Sequence, residues 1–111
     1  MSAAINLADY RQRKLAVVVT VMRYVAEGRD DFVGLLLGLA APTFHYQLVV
    51  EYELDGQSKI NDPTLTSLRN ARSAIDLARA LAKTMGKKFF VRVDYGDDYE
   101  ALGVRPDERV V

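Results

Sequence analysis

Apolar and polar positions alternate most clearly in HYQLVVEYEL. Tyr46, Leu48, Val50, Tyr52 and Leu54 interleave with Gln47, Val49, Glu51 and Glu53. A period of two residues is that of a strand with one buried face. Asp55-Gly56 follows, and both residues tolerate the positive φ of a two-residue hairpin turn. A short return strand, Gln57 to Ile60, completes the hairpin. The stretch NDPTLTSLRNARSAIDLARALAKTMG changes period: Leu68, Ala71, Ile75, Ala78, Ala82 and Met85 form one helical stripe. Asp62 is placed to cap this helix, with Pro63 at its first position. Gly86 suits its C-terminal end, where Lys83, Lys87 and Lys88 complement the helix dipole. FFVRVDY then returns to alternation. Phe89, Val91, Val93 and Tyr95 share one face; Phe90, Arg92 and Asp94 share the other.

The N-terminal third is less decided. Leu7, Tyr10, Val17 or Val18, Val21 and Val25 recur at spacings of three and four, which predicts a helix from about Leu7 to Ala26, capped by Asn6 and ended by Gly28. LAVVVTV within it is rich in β-branched residues and also suits a buried strand. A second, short helix is expected from Phe32 to Ala40, started by Asp30 or Asp31 and stopped by Pro42. Gly34 and Gly38 would let it pack closely on its neighbours. The expected fold is α+β, in the order ααββαβ. Its small three-stranded sheet is antiparallel or mixed, with helices over the apolar face. The hairpin's first strand is central. The last strand lies antiparallel beside it and parallel to the second, through a right-handed crossover. Residues 1–111 read as a single domain, with 1–6 and 104–111 as flexible tails.

Charge and composition narrow the function. Fifteen basic residues offset fifteen acidic ones, and half the residues are hydrophobic. This is a globular balance with no global attraction to nucleic acid or an anionic membrane. There is no cysteine, hence no disulfide or thiolate metal site. The apolar runs Leu15–Met22 and Phe32–Phe44 are each shorter than the roughly 20 residues a spanning helix needs. A cytoplasmic protein without a membrane partner is expected.

Candidate chemistry is sparse. Tyr95-Gly96-Asp97-Asp98 matches the metal-binding turn of some RNA-copying polymerases, where paired carboxylates hold two metal ions. A 111-residue chain has no room for template, primer and nucleotide. The same residues read better as a turn after a strand, Asp97 capping a short helical turn from Asp98 to Leu102 that Gly103 ends. Asp94, Asp97, Asp98 and Glu100 offer a lesser option as hard-cation ligands, without the spacing of a twelve-residue calcium loop. His45 is the only histidine, and no serine sits in a strand-turn-helix elbow. Gly34 and Gly38 lack the Lys-Ser/Thr of a phosphate loop. No catalytic residue, metal or cofactor is assigned.

Two surfaces remain. Arg69, Arg72, Arg79 and Lys83 lie opposite the apolar stripe of the long helix, a pattern that can track phosphates. Such stripes are more often solvated faces, and Asp76 interrupts this one. Val49 and Phe90 are apolar on strand faces otherwise expected to be exposed. With Arg92 and Tyr99 they are candidate contacts for a protein partner, a second copy of this chain included.

INLADYRQRK, Ile5 to Lys14, resembles an N-terminal leader found on many small proteobacterial proteins, including prophage and plasmid products. The resemblance implies a bacterial or phage source and no activity. Small phage-borne proteins of this kind often bind a host protein, anti-CRISPR inhibitors among them. The expectation is therefore a non-enzymatic protein-binding module, anti-CRISPR-like in kind, that blocks its partner sterically. The alternative is a nucleic-acid-binding accessory protein that uses the basic stripe.

Overall fold

A computed structural model describes residues 13–25 and 44–110. Residues 13–15 are helical, and the chain then enters β1, Ala16–Val25. This overturns the long N-terminal helix. Val17, Val21 and Val25 are spaced by four, a spacing that fits both a helical and a strand period. The intervening Val18, Val19 and Thr20 decide the matter, because β-branched side chains lose rotamers in a helix and pack well on a pleated surface. The second predicted helix, Phe32 to Ala40, and the tail 1–6 lie outside the described residues.

Strands β2 (Phe44–Leu54) and β3 (Gln57–Ile60) form the predicted hairpin, with Asp55 at φ 53° and Gly56 at φ 78°. Helix α1 spans Leu68–Thr84 and strand β4 spans Lys88–Asp94. Among the described residues the sheet has four strands in the order β3-β2-β1-β4, not three. β1 lies where the sequence puts β4, beside β2. It pairs antiparallel with β2 and parallel with β4.

α1 begins later than its sequence signals suggest. Ser67, not Asp62, is the N-cap, and its side chain accepts from the Asn70 N–H. The residues before it complete the outer edge of β2. Asn61 accepts from the Val50 N–H at 2.6 Å and donates to the Leu48 carbonyl at 3.0 Å. Thr66 exchanges two backbone bonds with Tyr46, at 2.8 and 2.9 Å. Pro63 thus sits in the link before the helix, not at its first position. Gly86 does end the helix: its N–H reaches Lys83 and the Lys87 N–H reaches Ala82, a Schellman arrangement.

The core lies on one face of the sheet. Val17, Val19, Val21, Tyr46, Leu48, Val91 and Val93 meet Ala71, Ile75, Ala78 and Ala82 of α1. The small alanines let the helix sit close, while Ile75 supplies bulk at zero exposure. Burying a side chain of that size contributes about 2 kcal/mol. Tyr95 does not join this face. Its φ of 65° turns it out of the strand, and it is 77% exposed. Residues 97–104 then make a turn closed by bonds such as Leu102 N–H to the Asp98 carbonyl, which buries Leu102 and Val104 in the core. Residues 104–110, expected as a tail, pack against the sheet. A 3₁₀ turn at Pro106–Glu108 is followed by a bond from the Val110 N–H to the Val91 carbonyl.

Candidate functional site

The alternation that sends Val17, Val19 and Val21 toward α1 sends Val18, Thr20 and Met22 to the back of the sheet. The register sets their neighbours. Val18 lies between Glu51 and Phe90, Thr20 between Val49 and Arg92, and Met22 between Gln47 and Asp94. Val49, Phe90 and Arg92, singled out from sequence on separate strands, therefore share one surface. The structure brings them together by placing β1 between β2 and β4. Val18, Met22, Val49 and Phe90 are half-buried, and none belongs to the core around α1. Tyr24 and Ile60 extend the apolar area as exposed side chains.

Charges flank this strip unequally. The β2 side carries Glu51 and Glu53, and the β4 side carries Lys88 and Arg92. Arg13 meets Glu51 at 2.8 Å and Asp94 lies 3.6 Å from Arg92, so Glu53 and Lys88 are the less neutralised pair. The middle row of the face, which β1 contributes, went unread in the sequence; its β-branched run was the available signal.

Tyr99 is elsewhere. It packs against the core, its hydroxyl accepts from the Val93 N–H at 3.2 Å, and the Arg109 guanidinium lies over its ring. The basic stripe is divided in the same way. Arg69, Arg72 and Lys83 are exposed, while Arg79 grips buried Glu108 through two bonds of 2.7 and 2.8 Å. Arg79 also bonds Asp76 and the Gly103 carbonyl. The Glu108 hydrogen bonds raise the Arg79 pKa against the opposing effect of burial, and the same contact lowers that of Glu108. An open cleft of about 320 Å³ beside α1 is lined by Leu68, Arg69, Arg72, Ser73 and Asp76.

The carboxylates after β4 do not converge. Asp98 turns inward, where it accepts from the Tyr46 hydroxyl at 2.8 Å with Arg23 at 4.0 Å. Gly96 borders this cluster; a Cβ there would stand 2.9 Å from Asp98 Oδ1 and 3.0 Å from the Arg23 guanidinium. The lack of a side chain, rather than a positive φ, is what this position uses. Asp97 and Glu100 are exposed. Among the described residues no three His, Cys, Asp or Glu side chains are grouped to hold a metal ion. His45 is exposed at the start of β2. No described helix is long and apolar enough to cross a membrane. Comparison with protein-family models, curated proteins and solved structures gives no match.

Proposed function

We propose that this chain is a small, non-enzymatic protein-binding module that docks its partner on the back face of the sheet. The observation that carries this is the convergence of Val49, Phe90 and Arg92 on one surface with Val18 and Met22 between them, outside the core. An apolar centre with charged margins is the usual anatomy of a protein interface. Its mechanism is steric: a preformed surface covers a site on the partner. The likeness of Ile5–Lys14 to a prophage-type leader extends the proposal to an inhibitor of a host protein. Nucleic-acid binding is the weaker reading, because Arg79 is committed to Glu108 and Asp76 stands among the remaining cations.

The test is capture of a partner by the tagged wild-type chain, by Phe90→Asp and by Arg92→Glu, with nuclease added to half of each sample. A stoichiometric protein kept by the wild type, lost by both variants and indifferent to nuclease supports the proposal. Capture that disappears with nuclease, or with Arg69→Glu and Arg72→Glu but not Phe90→Asp, overturns it in favour of nucleic acid.

A further inference from the structure

We propose that the back face is built to pack against a second copy of this chain, across a two-fold axis that runs along β1. The inference rests on reading that face as a protein-binding surface and names its occupant. It comes from the order of charges across the sheet. Along the back face, β2 carries Glu51 and Glu53, β1 carries Val18, Met22 and Tyr24 with the already covered Ala16 and Thr20, and β4 carries Lys88, Arg92 and Asp94. Arg13 pairs with Glu51 and Asp94 lies beside Arg92, so the unmatched charges are Glu53 on one side of an uncharged central strand and Lys88 on the other.

A rotation of 180° about the β1 direction exchanges the two sides and keeps the level along the strands. It lays β2 of one copy over β4 of the other, twice. Ala16 pairs with Lys88, and continuing the β1–β2 register by one row sets Glu53 at that same level. Each Glu53 then faces the partner's Lys88, and each Val49 faces the aliphatic stem of the partner's Arg92. Phe90 comes over Glu51, which is paired with Arg13 at 2.8 Å. Val18 and Met22 meet their own counterparts on the axis. Such an interface is isologous, as closed dimers require. Two sheets stacked face to face lie about 10 Å apart with strands nearly aligned, the geometry this symmetry gives. A two-fold along the perpendicular in-plane direction would instead set β2 on β2 and β4 on β4, so that Glu53 never meets Lys88.

Sedimentation equilibrium at tens of micromolar protein tests this. The wild type is expected at twice the chain mass of 12.4 kDa. Phe90→Asp is expected to be monomeric with an unchanged circular dichroism spectrum. Glu53→Lys and Lys88→Glu should each weaken self-association at least ten-fold, since each sets like charges opposite one another on both sides of the axis. An equimolar mixture of those two variants should recover a dimer, because in the mixed pair every contact is again opposite in sign. The charge variants carry the test if Phe90→Asp fails to fold.

A wild-type monomer overturns the inference. So does a dimer that survives Phe90→Asp, or one that both charge variants retain, because another surface then joins the copies. A hydrophobic dye separates this failure from that of the docking reading. If the chain is monomeric and Phe90→Asp lowers dye binding, the face is free for a different protein. If dye binding does not change, the docking reading falls as well.

Discussion

Tyr46 is buried at the start of β2 and donates to Asp98 from across the sheet end. Burial first, then the bond to Asp98, push its phenol up to about 12. In the unfolded chain a tyrosine ionises near 10. The folded state therefore holds this proton more tightly. Its contribution is complete below about pH 10 and is lost as the pH rises through about 12. A two-unit difference corresponds to roughly 3 kcal/mol. Tyr46→Phe should cost about 1–3 kcal/mol at neutral pH, because it takes a donor from Asp98. It should also flatten the alkaline decline, so urea midpoints of the two proteins converge as the pH rises. Parallel alkaline declines would show that Tyr46 is not the titrating group. One residue scale lower in energy, Tyr95 holds a left-handed φ with its ring in solvent. Tyr95→Asn should raise stability by about 1 kcal/mol, read as a higher melting temperature. From sequence Tyr95 belonged to the strand's inner face, since alternation carries no sign of the residue at which a strand stops. Arg79 was equally unreadable as a structural cation, because its partner lies in a segment that looked like a tail.

At the scale of elements, the hairpin, α1 and β4 were legible because each has an unambiguous period and its own terminator. β1 was not. From Ala16 to Met22 its residues are apolar on both faces save Thr20, so no alternation marks it, and its four-residue valine spacing imitates a helix. Once β1 is a strand, the candidate surface follows: Val49 and Phe90 become neighbours across Thr20 and Val18 rather than two scattered apolar residues. The start of α1 is a second instance. Asp62-Pro63 has the chemistry of a helix start, but Asn61 and Thr66 are needed to satisfy the edge of β2, and that demand is tertiary. Ser67→Ala should therefore cost about 1 kcal/mol, the worth of an N-cap, and Asp62→Ala close to nothing. The reverse ranking in chemical denaturation would restore the earlier helix start.

Across the whole molecule, one ion pair joins what the topology leaves separate. α1 covers one face of the sheet, and the chain after β4 returns beneath it to place Glu108 against Arg79. The 3₁₀ turn at Pro106–Glu108 fixes the carboxylate from behind, through a bond from the Arg105 N–H at 2.9 Å. Glu108 is 6% exposed, so removing its carboxylate leaves the Nε–H of a mostly covered guanidinium without its partner, while the bonds to Asp76 and the Gly103 carbonyl remain. Glu108→Ala should cost about 2 kcal/mol. The bonds from Arg79, and after them the Arg105 N–H, hold the Glu108 pKa below the usual glutamate range despite burial. A depressed folded-state pKa fixes the sign. The stabilisation is present above the unfolded value, about 4.3, and disappears as the pH falls through the lower folded value. The wild type should thus lose stability on acidification below about pH 4.3, while Glu108→Gln starts lower and declines less over that interval. Their denaturation midpoints should approach each other in acid. A constant gap between them down to the acid limit would mean that Glu108 does not hold the C-terminal segment through its charge.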